Sequence, residues 1–204
     1  MSKTSCVLLV LLLAVYSEAV TVSFSKGIGN GMVLQRQPAH SSLYGSAPPG
    51  AKVVVTLTDE DAALEAERVA VVAAADGSWK ATLAPRNAGG NFSATASVTS
   101  AGPSGTATIT DLTFGDVWFC SGQSNMELSL SFTFSRNLTV AKILEGHYSN
   151  VRVYLNPHVT MPQPMWVDDG THVAARSTAS GPLEYRWRHV RDVVNGSDVQ
   201  VLGK

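Results

Sequence analysis

The chain has 204 residues, a formal net charge of −1 and only 15% charged residues. A protein this close to neutral lacks the electrostatic attraction that binding to nucleic acid or to an anionic membrane surface requires. We therefore expect no nucleic acid or membrane partner, and a ligand that is neutral or recognised locally. The length suits one domain of ordinary size, or one domain and part of another.

Residues 1–19 are predicted to form a signal peptide that is removed. Lys3 precedes an apolar run over 7–15, and Ser17-Glu18-Ala19 places small residues at the −3 and −1 positions of a cleavage site. The expected compartment is the secretory pathway, with the mature protein either secreted or lysosomal. Three glycosylation sequons agree with this route and begin at Asn91, Asn137 and Asn195.

Cleavage would also remove Cys6, which leaves Cys120 as the single cysteine of the mature chain. No internal disulfide is then possible. Because its neighbours are apolar, Cys120 is predicted to be a small core residue and not a reactive thiol.

Residues 20–112 are predicted to form a β-sandwich-like module. Apolar and polar side chains alternate over 52–57 and again over 92–99, which is the period of a strand with one buried face. Asp76-Gly77 lies between two further apolar segments and favours a hairpin turn, because both residues tolerate positive φ. Several short strands at this spacing favour a sandwich. Residues 59–68 are polar and predict either a solvated helix or a polar loop.

The stretch from Phe114 to Met126, FGDVWFCSGQSNM, organises the rest of the chain. The apolar residues 117–120 predict a short strand buried on both faces. Ser121-Gly122 is a turn signal, and a serine just past such a turn would lie at the carboxyl end of the strand, where open α/β sheets place their ligands. By residue type alone, however, a serine in a turn is most often structural.

Residues 113–169 are predicted to begin a second domain, of α/β type. Apolar residues alternate with polar ones over 126–134, which as a pattern predicts a strand. Asn137 is expected to cap a helix that Gly146 ends, and a strand follows over 151–155. Strand, helix and strand in this order favour a βαβ unit with a parallel sheet.

The motif GDVWFCSGQSNM resembles the nucleophile block of the sialate O-acetylesterase family, a carbohydrate-esterase branch of the SGNH hydrolases. The resemblance begins at GNGMVLQR over 29–36, includes DGSW over 76–79 and fades near Met165-Trp166, so that it spans roughly two thirds of the chain. It implies the N-terminal portion of such a protein. The expected fold is a β-rich sandwich followed by the beginning of an SGNH, flavodoxin-like α/β hydrolase domain that stops early.

Residues 170–204 lose this resemblance and are expected to form a divergent tail. Four apolar residues keep helical spacing, namely Leu183, Trp187, Val190 and Val194. The basic cluster is interpreted as a solvated helix face and not as a phosphate site; it comprises Arg186, Arg188, His189 and Arg191. The resemblance also favours an irregular or helical segment over 126–134, against the strand pattern.

The resemblance implies that Ser124 is the nucleophile of an esterase that removes O-acetyl groups from sialic acids through an acetyl-enzyme, without metal or other cofactor. Such chemistry needs an imidazole base, a group that orients it, and donors for the oxyanion. We interpret Gly122, Gln123 and Asn125 as oxyanion or supporting residues. Asp116 is expected to accept hydrogen bonds that fix the loop.

The sequence leaves the identity of the catalytic base open. Asp169-Gly170-Thr171-His172 has the spacing of the family's C-terminal block, which makes His172 a candidate base, although so short a pattern also arises by chance. The remaining blocks of the family are not recognisable after Ser124. His40, His147 and His158 are interpreted as structural or solvated histidines.

Two interpretations follow for the chain. It is either an active carboxylic ester hydrolase acting on an O-acetylated sialic acid or another acetylated glycan, or a truncated product with at most carbohydrate binding through the β module. The sequence does not predict an oligomeric state.

Overall fold

The computed structural model describes residues 21–98, 104–122, 128, 130–154 and 187–195. Ten strands lie in this part of the chain: β1 (Ser23–Phe24), β2 (Val33–Gln35), β3 (Ser42–Ser46), β4 (Lys52–Asp59), β5 (Leu64–Val72), β6 (Ser78–Thr82), β7 (Gly89–Val98), β8 (Gly105–Gly115), β9 (Arg152–Tyr154) and β10 (Trp187–His189). The helical segments there are a 3₁₀ turn (Leu130–Phe132), α1 (Arg136–Leu144) and α2 (Val190–Asn195). No helix in these ranges is long and apolar enough to cross a membrane.

Strands β1 to β8 form two sheets, which confirms that the first part of the chain is β-rich. The larger sheet has the order β2-β8-β7-β4-β5, and the smaller one has the order β1-β3-β6. Strands β2 and β8 run parallel while the other neighbours of the larger sheet are antiparallel, so that sheet is mixed. Val53, Val55 and Leu57 of β4 are fully buried, as their alternation with polar residues predicts.

The two sheets share one apolar core. Trp79 of β6 is 3% exposed and packs edge-on against Phe24 of β1, with ring centroids 5.5 Å apart. Phe92 of β7 meets Phe114 of β8 in the same T-shaped way at 5.3 Å. Both aromatic pairs bury large apolar area in the core of the β module. Burial of apolar area in this core supplies most of the hydrophobic stabilisation of the module.

The turn at Asp76-Gly77 is present but does not make a hairpin. Gly77 has φ +81° and donates its N–H to Ala74 O at 2.9 Å. The two strands it joins, β5 and β6, belong to different sheets, so the turn carries the chain across the core. The carboxylate of Asp76 accepts the backbone N–H and the hydroxyl of Ser78, and these two bonds hold the pKa of Asp76 below its ordinary value.

The segment 59–68 contains a turn over 60–63 between two strands, so the predicted helix is wrong and the predicted polar loop is confirmed for those four residues alone. Asp59 ends β4 and its Oδ1 accepts the N–H groups of Asp61 and Ala62, both at 3.1 Å, in a tight connection. The chain then returns as β5, antiparallel to β4. Strand β5 is the edge of the larger sheet; its charged residues, Glu65, Glu67 and Arg68, lie in its first half, whereas Val69 and Val71 pack against the core.

The strand pattern over 126–134 is wrong for the residues described there, because Leu130–Phe132 is a 3₁₀ turn. The predicted helix exists as α1, but Ser135 takes the N-cap position and Asn137 lies inside the first turn. Gly146 follows the helix with φ +95°, the left-handed conformation expected of a glycine stop. Ile143 of α1 packs against the buried Val190 and Val194 of α2 in a second, small apolar cluster.

Strand β9 confirms the predicted strand after α1, but its partner is β10 and the pairing is antiparallel. A parallel βαβ unit is not formed by the described residues, and the SGNH-type domain is not evident in them. Trp187 to His189 is strand, so the predicted helix face is wrong for Arg188 and His189, whereas Arg191 does lie in a helix, α2; Arg186 lies outside the described residues. The helical spacing of the apolar residues gave a wrong prediction at Trp187, because this side chain contacts the β module, where its Nε1 donates to Gly27 O at 3.1 Å.

Candidate functional site

The strand that leads towards Ser124 is β8, and its last residues pair with β2. The register places Leu34 opposite Phe114 and Gln35 opposite Gly115, in parallel. Leu34 and Phe114 are 1% and 2% exposed, so the pairing is anchored in the core. The block 29–36 therefore meets the start of the second motif block, at Gly115, at one end of the larger sheet.

The residues just before β2 also bind β8. Gly31, at φ +77°, donates its N–H to Thr110 O at 3.0 Å, and Thr110 N–H donates to Asn30 Oδ1 at 2.9 Å. A residue with a side chain is strained at this φ, which accounts for the second glycine of the GNGMVLQR block. The block thus follows β8 along half of its length.

Beyond the end of β8, side chains continue the contact between the block 29–36 and the chain after Gly115. Arg36 donates its backbone N–H to Gly115 O at 2.9 Å and its Nε to Asp116 Oδ1 at 2.8 Å. Val117 N–H donates to Gln35 Oε1 at 2.9 Å. Asp116 thus has the kind of partner expected of a carboxylate that fixes a loop. Sequence reasoning gave Gln35 and Arg36 no role, and the only signal for them was their membership of the GNGMVLQR block.

The segment after Gly115 is not a buried strand, which corrects the expectation for 117–120. It has no regular secondary structure up to Gly122, and Trp118 and Phe119 are 84% and 92% exposed. Cys120 is a free, exposed cysteine and not a core residue. The physical reason is that β2 ends at Gln35, so no neighbouring strand in the described chain pairs with these residues. Gly122 is exposed at the end of this segment.

Four of the predicted site residues lie outside the described residues. They are Gln123, Ser124, Asn125 and His172. The structure therefore gives no distance from the candidate nucleophile to a base or to an oxyanion donor, and the roles assigned to these residues stay predictions.

The described histidines lie in three different settings. Nδ1 of His40 is 3.0 Å from Leu83 O within the β module, and His147 is exposed with its Nε2 3.9 Å from Glu145. Nε2 of His189 is 3.6 Å from Asp111 Oδ2. His158 lies outside the described ranges. Within those ranges no group of three or more His, Cys, Asp or Glu could hold a metal ion.

Asp111 connects the β module to β9 and β10. Arg152, whose side chain is 10% exposed, donates to the backbone oxygen of Asp111 and, at 2.9 Å, to its Oδ1. Asp111 has φ +57°, an uncommon value for a residue with a side chain. Together with His189, these contacts attach the second part of the chain to the same strand, β8, that leads towards Ser124.

Comparisons with known proteins agree with the motif blocks. No family model matches the chain. It is 33% identical over 148 residues to the sialate O-acetylesterase of Mus musculus and 35% identical over 147 residues to that of Homo sapiens. Both matches cover 72% of this chain and 27% or 28% of the relative. The chain therefore spans little more than a quarter of the length of these curated relatives.

A solved structure is similar as well. A carbohydrate acetylesterase from Xanthomonas citri superposes with a TM-score of 0.58 and 26% identity, over 71% of this chain and 30% of that one. The motif-based resemblance is thereby confirmed, and over 72% of its length this chain is a homologue of the sialate O-acetylesterases.

Proposed function

We propose that the chain is a serine esterase that hydrolyses O-acetyl esters of sialic acids, with Ser124 as the nucleophile. The observation that carries the proposal is the pairing of β2 with β8, which joins the two motif blocks at the point where the chain departs towards Ser124. The proteins that this chain is similar to include sialate O-acetylesterases and a carbohydrate acetylesterase. An ester of another O-acetylated glycan is the close alternative substrate.

The proposed reaction has two halves. Ser124 Oγ attacks the acetyl carbonyl while an imidazole takes its proton, and the sugar hydroxyl leaves with that proton to give an acetyl-enzyme. Water then releases acetate and restores the serine. Backbone N–H groups near Ser124, supported by Gly122, Gln123 and Asn125, would stabilise the oxyanion; losing one such donor costs about 3 kcal/mol of barrier.

We assign the base to His172, oriented by Asp169, because of their Asp-x-x-His spacing. His189 is a suitable comparison, since it also has a carboxylate partner, Asp111, in the described part of the chain. His172→Ala should abolish turnover, whereas His189→Ala should leave a measurable rate. The opposite result would transfer the role to His189.

The decisive experiment is acetate release from an O-acetylated sialic acid by the chain beginning at Val20, beside Ser124→Ala. We expect turnover to fall by at least about a thousandfold in the variant, because the remaining groups cannot form the acetyl-enzyme. Ser121→Ala, three residues earlier in the same segment, is the matched control and should retain activity. Thermal melting of all three proteins checks that the fold is unchanged. Equal turnover in Ser124→Ala would refute the assignment.

The second candidate is glycan binding through the β module without hydrolysis. It predicts that the unchanged protein and Ser124→Ala bind an acetylated glycan equally and that neither releases acetate. We further propose passage through the secretory pathway, to the medium or the lysosome. Expression with residues 1–19 should then yield a protein whose first residue is Val20.

A further inference from the structure

The parallel pairing of β2 and β8 stops where β2 turns away. Arg36 still donates its backbone N–H to Gly115 O, but the next residue, Gln37, directs its N–H to Arg86 O at 2.7 Å. The backbone of β2 thus leaves β8 after Gly115. Gln35 Oε1 occupies the acceptor position instead, 2.9 Å from Val117 N. A side-chain amide therefore extends the hydrogen-bond ladder by one step.

The intervening residue is held by a second side chain. Arg36 Nε donates to Asp116 Oδ1 at 2.8 Å, across 80 residues of sequence. The two side chains of this ion pair are 44% and 54% exposed, and an ion pair in water adds little to stability. Its effect is geometric, because together with the Gln35 contact it fixes two consecutive residues of the chain.

The residues that hold the segment are themselves anchored to the core of the β module. Leu34, the neighbour of Gln35, is 1% exposed, and the backbone oxygen of Gln35 accepts Ser41 Oγ at 2.7 Å. Gln35 therefore presents its side chain from a rigid position. Trp118 and Phe119, which follow the held residues, are largely exposed.

We propose that Gln35 and Arg36 are positioning residues that hold the nucleophile segment at Asp116 and Val117; the inference rests on the proposed function of Ser124. Ser124 follows Val117 by seven residues in the sequence, so Val117 is where the chain towards the serine leaves the sheet. Catalytic groups must be held within about 0.5 Å of the productive geometry. Neither residue contacts substrate in this scheme; both act through the backbone of the segment.

The first test is amide hydrogen exchange, followed by NMR at Val117. Gln35→Met keeps the length of the side chain but removes the acceptor, whereas Gln35→Glu keeps an acceptor. Exchange at Val117 should be at least about fivefold faster in Gln35→Met and return towards the original rate in Gln35→Glu. Gln37→Met is the matched control, since Gln37 Nε2 binds Asn87 Oδ1 at 2.7 Å and leads away from β8. Unchanged exchange in Gln35→Met overturns the proposal.

The second test separates positioning from folding. In an active protein, Gln35→Met should lower kcat about tenfold or more with little change in KM and no loss of thermal stability beyond that of Gln37→Met. The double variant Gln35→Met/Arg36→Met should lower kcat further. A fall in stability that accounts for the whole loss of activity overturns the positioning role. If the unchanged protein releases no acetate, the proposed function fails, and the exchange measurement alone decides whether Gln35 holds the segment.

Discussion

Gly45 is the residue at which the smaller sheet leaves no room for a side chain. A Cβ atom there would overlap the backbone oxygen of Ser23 and come within 2.8 Å of Trp79 Cζ2. These neighbours belong to β1 and β6, the two strands that flank β3. Close approach of backbones, and not an unusual φ, is therefore what requires glycine at this position.

Gly45→Ala should accordingly destabilise the protein by about 1–3 kcal/mol, because Ser23 and Trp79 must move apart. Urea unfolding followed by circular dichroism measures the change. Gly29→Ala is the control, since nothing lies within 4 Å of a Cβ at that position. Equal midpoints for the two variants would show that β1 can shift without cost.

At the scale of elements, Glu67 adds a second attachment of the edge strand β5, beyond its backbone pairing with β4. Its Oε1 accepts Ala84 N–H at 2.8 Å, and its Oε2 lies 3.2 Å from Arg86 Nη2. The side chains of Glu67 and Arg86 are only 17% and 25% exposed. Arg86 also lies over the ring of Phe92, 5.7 Å from its centroid. Glu67 therefore joins β5 to the segment after β6.

Glu67→Ala should cost about 1–3 kcal/mol of unfolding free energy, because the sheltered Ala84 N–H loses its acceptor and Arg86, which keeps its bond to Ala66 O, loses its carboxylate partner. Glu65→Ala is the natural comparison: it lies on the same strand, is 50% exposed and is 3.9 Å from Arg68. We expect less than about 0.5 kcal/mol there. The denaturant midpoints of the two variants measure this difference in stability. A larger loss of stability in Glu65→Ala would contradict the role given to Glu67.

Strands β4 and β5 and the run 117–120 show what a sequence pattern can and cannot predict. β4 was predictable because Val53, Val55 and Leu57 alternate with residues of the other face. The second half of β5 was predictable from its apolar residues over 69–72, whereas the first half was not, because its charges resemble those of a loop. The apolar run 117–120 predicted a buried strand and was wrong, because burial requires a covering partner and β2 ends too soon.

The candidate site was likewise predictable from the sequence only in part. The motif predicts Ser124 as the nucleophile because its residues are consecutive in sequence; Ser124 lies outside the described residues, so this stays a prediction. Gln35 and Arg36 escaped notice because their contacts join residues 80 or more positions apart, and only the folded sheet brings them together. His189 was misplaced for a similar reason, as its nearness to Asp111 depends on β10 pairing with β9.

For the molecule as a whole, the described apolar residues form two clusters of unequal size. The larger one fills the β module, whereas the smaller one consists of Ile143, Val190, Val194 and the partly buried Val140. Regions with little buried apolar area open at lower free energy. The helical part should therefore open locally while the β module stays folded.

Hydrogen exchange measured by mass spectrometry should show this difference. Amides of α1 should exchange at least about tenfold faster than those of β4 and β7, and Val194→Ala should accelerate α1 alone. Leu57→Ala, in the larger core, should lower protection throughout, with a stability loss of about 2–5 kcal/mol. Acceleration of β7 by Val194→Ala would show that the two clusters open as one unit.

The parallel pairing of β2 with β8 also has a consequence for the order in which the protein folds. Contacts between residues far apart in sequence form late, because the intervening chain must first be ordered. Strand β2 is synthesised early, and its partner at residues 113–115 emerges only after β3 to β7. The segment after Gly115 thus gains its anchor on β2 only when the module closes, so an esterase site on this scaffold would form late in folding.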